Sequence, residues 1–187
     1  MIDKHVVDSL LKREDVAVVI VDIQERLLPV IANKDTLLSN VIKLVRFAKL
    51  LGVPIIASEQ IKLGPTVSEI RNELPNLETV TKAEFDALKN AQFAECLDVL
   101  NKKSLIVVGI ETHICVTQTV LHALPRYTVH VLGDAVGSRS MENWQVGIER
   151  MRQAGAVISS TEMAMYEVLE KAGTDEFRAV LELVKGK

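Results

Sequence analysis

Three residues of chemically useful type each stand just past a short apolar run. Asp22 follows "VAVVIV", Lys82 follows "LETVT", and Cys115 lies in "GIETHICVTQT", just beyond "SLIVVG". A carboxylate, an ammonium and a thiol are the parts of a nucleophilic site. A thiol attacks as its thiolate and is mostly protonated at neutral pH. A nearby carboxylate can take that proton as general base, and a lysine can hold the carboxylate and offset its charge. Backbone N–H groups near Cys115 would stabilise an oxyanion. A helix N-terminus at that point would draw the thiol pKa down. Such a set suits acyl transfer from an amide or ester-like carbonyl through a thioester. Singly, each residue has a plainer use. An Asp after a strand serves as an N-cap or turn residue, a lone Cys as a small hydrophobe, and a loop Lys as a solvated charge. The case rests on all three falling at one edge of the same sheet.

The elements that must bring them there are legible in the patterning. Short β-branched runs read as buried parallel strands at 16–21, 53–58, 104–109, 128–133 and 156–160, with "LETVT" (77–81) as a weaker sixth. Between them, 37–51, 91–101, 114–124, 141–154, 161–171 and 174–185 have helical spacing; in the first, Leu37, Val41, Leu44, Val45 and Ala48 recur at threes and fours. Gly52, Pro125 and Gly155 are stop signals, and Thr66 with Glu69 predicts a capping box for a short helix. Strands alternating with helices imply one α/β domain over 1–187, a doubly wound, mostly parallel sheet covered on both faces. Ligands of such sheets bind outside the carboxyl ends of the strands, at the switch point. If the first strand and "SLIVVG" flank that point, Asp22 and Cys115 share one crevice, and Lys82 reaches the same edge.

Composition narrows the partners. Of 187 residues, 48% are apolar, so a sizeable core is expected in one domain. The net charge is −3, no basic stripe is present and aromatics are 4%, which gives no support for a nucleic-acid partner. Two cysteines, Cys96 and Cys115, suit a reducing cytoplasm and not a disulfide framework. "MIDKHVVDSL" lacks the apolar region of a signal peptide, and "VAVVIV" is too short to span a membrane. The segment after the first strand, "DIQERLL", has no G-x-G-x-x-G, and no P-loop occurs, so no dinucleotide or nucleotide cofactor is expected. His5, His113, His122 and His130 do not stand at metal-ligand spacing, so no metal is expected.

At this point the sequence resembles the isochorismatase-like cysteine hydrolases, which include nicotinamidases and carbamoyl-amide hydrolases. The resemblance runs nearly the whole length, through "VVIVDIQERLLPVI", "VPIIASEQIKLGPTVSEI", "VTKAEFDAL", "LIVVGIETHICVTQTVLHAL", "VHVLGDAVGSRS" and "ERMRQAGAVISSTEMAMYEVL". It is most similar to the isochorismatase domain-containing subgroup, through Glu-Gln followed by Leu-Gly-Pro-Thr and through Ser-Arg-Ser after the fifth strand. What the resemblance implies is a three-layer αβα fold with six strands in the order 3-2-1-4-5-6. It also implies a triad of Asp22, Lys82 and Cys115, and a cis peptide between Ile110 and Glu111. The N–H groups of Glu111 and Cys115 would then form the oxyanion hole, and the protein would be a homo-oligomer, dimer or higher. One segment departs from the nicotinamidases. They carry an aspartate and two histidines after the second strand to bind a metal, whereas this chain reads "ASEQIKLGPTV" there. A retained Cys115 favours amide or related acyl hydrolysis over vinyl-ether cleavage.

Other residues near the strand ends are candidates for a small-molecule substrate: Glu59, Gln60, Leu63, Thr112 and His113. His113 is balanced between lining a pocket and satisfying loop carbonyls. His122 shares a helical face with Cys115 and reads as a packing or surface residue. Ser138 and Ser140 read as N-caps, Cys96 as core, and Trp144 as a subunit-interface residue. Arg139 is divided between a substrate anion, a neighbouring subunit and a surface salt bridge. Two functions follow. One is a cysteine hydrolase cleaving a small amide or related C–N or acyl substrate. The other is an interaction or scaffold protein that keeps the fold.

Overall fold

A computed structural model of the chain describes residues 10–185. Six strands form one sheet: β1 (Val16–Val21), β2 (Ile55–Gln60), β3 (Thr79–Lys82), β4 (Ser104–Ile110), β5 (Thr128–Gly137) and β6 (Val157–Ser159). Their order is β3-β2-β1-β4-β5-β6, and every pairing is parallel. The helices are α1 (Lys34–Leu51), α2 (Ser68–Glu73), α3 (Ala91–Val99), α4 (Thr117–Ala123), α5 (Met141–Gln153), α6 (Thr161–Leu169) and α7 (Asp175–Val184).

β1 is buried at all six positions, which is why its sequence is uniformly apolar and not alternating. Its side chains still point alternately to two faces. Val16, Val18 and Ile20 join a core with Leu37, Val41 and Leu44 of α1 and Met165 of α6. Ala17, Val19 and Val21 join a second core with Phe93 of α3, Val120 of α4 and Met151 of α5. The domain is thus a three-layer αβα fold. β1 pairs with β2 on one side and β4 on the other, so the chain switches direction between β1 and β4. That gap is where ligands of doubly wound sheets sit.

Three boundaries differ from expectation in ways that matter. β2 runs to Gln60, which makes Glu59 and Gln60 part of its carboxyl end. The weak sixth strand is real, and Lys82 is its last residue, not a loop residue. β5 continues to Gly137, with a register shift against β4 between Val107 and Gly109. The expected capping box does not form. α2 begins at Ser68 without a side-chain cap, because the Thr66 hydroxyl donates instead to the Glu59 carboxylate at 2.7 Å. Gly52 ends α1 as read, in the left-handed region at φ 68°. Among the described residues, no helix is long and apolar enough to cross a membrane.

Candidate active site

The carboxyl edge of the sheet gathers the three candidate residues. Asp22 directly follows β1 with φ 53°, a left-handed conformation that Asp tolerates better than most residues. Its carboxylate is buried and split between two partners. Oδ1 accepts the Ser58 hydroxyl of β2 at 2.7 Å, and Oδ2 accepts Lys82 Nζ of β3 at 2.7 Å. Lys82 Nζ also donates to Gln60 Oε1 at 2.8 Å and to the Glu84 carbonyl at 3.2 Å. An ammonium has three N–H donors. Here three acceptors surround it, one for each donor. Both members of the pair have side chains with no solvent exposure. Such a pair is tolerable only when fully hydrogen-bonded, which these contacts provide.

Gln24 sets the next layer. Its Oε1 accepts the Gln60 backbone N–H at 2.8 Å, while Nε2 donates to the carbonyls of Gln60 and Gly64. Gln60 is held from the other side by its Nε2, which donates to the Ala83 carbonyl at 2.8 Å. The segment after β2 is further laced to the one after β1 through Glu25 N–H to the Pro65 carbonyl and Arg26 N–H to the Leu63 carbonyl.

Cys115 comes from the opposite side of the switch point. Gly109, near the end of β4, has φ 131°, and a Cβ there would sit 2.1 Å from the Val21 carbonyl oxygen. Only glycine lets β4 pass this close to β1. The Ile110–Glu111 peptide bond is cis. Residues Thr112–Val116 then form a π-helical turn, with Val116 N–H bonded to the Glu111 carbonyl, that runs directly into α4. π turns are rare and concentrate at functional sites. Thr117 closes this turn by donating to the Thr112 carbonyl at 2.6 Å. α5 packs on its outer side, where a Cβ on Gly147 would lie 3.1 Å from the His113 backbone.

Cys115 is only 6% exposed. Its thiol is pushed up to about 12, first by burial, then by the negative charge of Asp22 and a hydrogen bond to it; Lys82 pulls the other way. Removal from water and an adjacent carboxylate both penalise a thiolate, in the direction opposite to the lowering anticipated from a helix terminus. At rest Cys115 is a thiol beside the Asp22 carboxylate.

The remaining candidates divide. Gln60 belongs to the cluster through Lys82, and its amide is engaged there. Glu59 accepts both the N–H and the hydroxyl of Thr66 at 2.7 Å, so its carboxylate staples the loop after β2. Leu63 is half-buried in that loop. The Glu111 side chain is buried and accepts the Arg139 N–H and Nε, each at 3.0 Å, so Arg139 forms a salt bridge with the loop that carries Cys115. His113 Nδ1 lies 3.1 Å from the Ser138 hydroxyl. Ser138 is thus a partner of His113, while Ser140 caps α5 as read. Thr112 Oγ1 is buried and finds no protein partner among the described residues. Cys96 is half-buried against the second core, and Trp144 donates to the Gly133 carbonyl at 3.2 Å. His5 lies outside the described residues, within which no group of three or more His, Cys, Asp or Glu could hold a metal. Sequence reasoning missed Ser58 and Gln24. Ser58 was visible as a polar residue at the end of the apolar run "VPIIAS", and Gln24 as a polar residue two positions after Asp22. A surface groove along α1 and α7 is lined by residues such as Leu38, Arg46 and Leu183 and by none of this cluster.

A doubly wound parallel sheet with a buried acid, lysine and thiol at its switch point defines a hydrolase-type α/β domain. The chain belongs to the isochorismatase domain family, whose model matches residues 16–163. It is 36% identical to the secreted isochorismatase effector Isc1 of Phytophthora sojae (strain P6497), over 88% of this chain and 81% of that protein. The MAR1 ribonuclease of Caenorhabditis elegans superposes with a TM-score of 0.88 at 28% identity, covering 94% of this chain and 92% of that one. YcaC of Pseudomonas aeruginosa, solved with hexane-2,5-diol and covalent acrylamide, gives 0.87 at 27% identity, covering 93% and 91%. YcaC of Escherichia coli, described as an octameric hydrolase of unknown specificity, gives 0.87 at 26% identity, covering 93% and 90%.

Proposed function

We propose that this protein is a cysteine hydrolase acting on a small amide or related C–N or acyl substrate. The observation that carries the reading is the Asp22 carboxylate, placed between the Lys82 ammonium and the Cys115 thiol. With the thiol at about 12, roughly one molecule in 10⁵ is a thiolate at pH 7, so proton removal must accompany attack. Asp22 takes the proton as Sγ bonds to the carbonyl carbon, and the carbonyl oxygen becomes an oxyanion facing the N–H groups of Glu111 and Cys115. Collapse breaks the C–N bond, and the leaving amine takes the proton from Asp22. Water then adds to the thioester, Asp22 again holding the proton until it returns to sulfur. Lys82 keeps Asp22 oriented and offsets charge through its field, since its own protons are committed.

The covalent acrylamide of the YcaC neighbour supports a site that accepts a small amide. The octamer described for the other YcaC supports a homo-oligomer, and two unpaired cysteines suit a reducing cytoplasm. The test is a panel of small primary amides, carbamoyl compounds, esters and RNA, assayed with wild type and Cys115→Ala. Hydrolysis of an amide or ester that vanishes in the variant is the expected result. Cleavage of RNA alone, or no Cys115-dependent turnover together with a stably retained protein partner, would sink the reading in favour of a ribonuclease or a scaffold.

A further inference from the structure

β3 is an edge strand of four residues, paired on one side only, to β2. Yet its last residue, Lys82, must keep a fixed distance from a thiol that sits across β2 and β1. The ladder alone does not secure it. A second connection bypasses both strands. α4, the helix that continues from Cys115, carries Thr119 and His122 four and seven positions on, spacings that share one helical face. Thr119 Oγ1 accepts the Ala87 N–H at 3.0 Å, with both groups buried. His122 Nδ1 lies 2.8 Å from Asp86 Oδ2. Asp86 is 5% exposed, and its other oxygen accepts the Leu88 N–H at 3.0 Å. Asp86 stands four residues after Lys82, and between them the Glu84 carbonyl takes one proton of Lys82.

A carboxylate can only accept, so Nδ1 is the donor of this contact. This second connection joins the two ends of the candidate site through contacts that touch neither Asp22 nor the thiol. We infer that His122, with Thr119, is a positioning residue that fixes the Lys82 segment against the helix of Cys115. This inference rests on the reading of Asp22, Lys82 and Cys115 as the working set, and the experiment separates the two.

Iodoacetamide labelling of Cys115 would be followed by peptide mass spectrometry on the full chain from pH 7 to 10, with Cys96 as internal reference. Lys82 is the group that pulls the Cys115 thiol down against burial, Asp22 and Glu111. Lys82→Met should therefore slow Cys115 labelling at a fixed pH. His122→Leu should act in the same direction, roughly 3- to 10-fold, as a thiol pKa rise of half a unit to one unit requires. His122→Asn should restore the wild-type profile, because its Nδ2 stands where Nδ1 donated, and Cys96 should not change. Thr119→Val, nearly isosteric, should reproduce the slowing if His122→Leu disturbs folding and speeds both cysteines. Unchanged Cys115 labelling in His122→Leu and Thr119→Val beside a slowed Lys82→Met overturns this inference alone, as does failure of His122→Asn to rescue. Unchanged labelling in Lys82→Met overturns the reading of the triad itself.

Discussion

At the scale of single residues, the site is defined by what each polar atom has already committed. Lys82 has given all three protons to Asp22, Gln60 and Glu84, and Asp22 has accepted from Ser58 and Lys82. Asp22→Asn removes both the proposed base and the charge that raises the thiol. Amide turnover should fall by about 10²–10⁴-fold, the usual worth of a general base. In the same variant, labelling of Cys115 should move to lower pH, because the carboxylate's charge no longer opposes the thiolate. Parallel kinetics and labelling would check this; loss of both together would count against Asp22 as the base. The thiol also ties stability to alkaline pH. Its folded-state pKa lies above the unfolded value of about 8.5, so its contribution is complete below that pH and is lost as pH rises toward 12. Wild type should lose roughly 1–2 kcal/mol by pH 10 that Cys115→Ala does not, read as the difference between their urea unfolding curves. Asp22, Lys82 and Cys115 were legible in sequence because each closes or follows an apolar run. The commitments of Glu59 to Thr66 and of Glu111 to Arg139 were not, because they depend on loops meeting across the sheet edge.

At the scale of elements, the sequence patterning located every strand: central parallel strands buried on both faces are apolar throughout, while the edge strand in "LETVT", exposed at alternate positions, gives a weaker signal. The patterning placed the strand ends less well. β2 and β5 run on past their apolar cores, because backbone pairing with a neighbour continues after hydrophobicity has stopped. The first turn after β4 was read as ordinary helix and is a π turn. No periodicity of apolar residues distinguishes the two over five positions. The crossing of β1 and β4 is the tightest point in the site. Gly109→Ala would drive a Cβ into the Val21 carbonyl, with backbone on both sides and a positive φ. It should destabilise by about 3 kcal/mol, seen as a lower urea midpoint. Activity should fall further than stability alone explains, since Asp22 follows Val21 directly.

At the scale of the whole molecule, two hydrophobic cores lie on opposite faces of one sheet, and the candidate site stands at the seam. The division also runs along the chain. Asp22, Gln24, Ser58, Gln60 and Lys82 all precede α3, while Glu111, Cys115 and Arg139 all follow β4. The first half supplies the Asp22 carboxylate and its support; the second supplies the thiol and the loop around it. They meet through the six-residue ladder in which Val16 to Val21 pair with Ser104 to Gly109. Neither half contains a workable site, and the join between them is an all-parallel pairing about ninety residues apart in sequence, a slow contact to make. A chain emerging from the ribosome would carry its acid and lysine long before its thiol. The thiol would meet its proposed base only when the central ladder closes, so the proposed chemistry is withheld until the fold is whole.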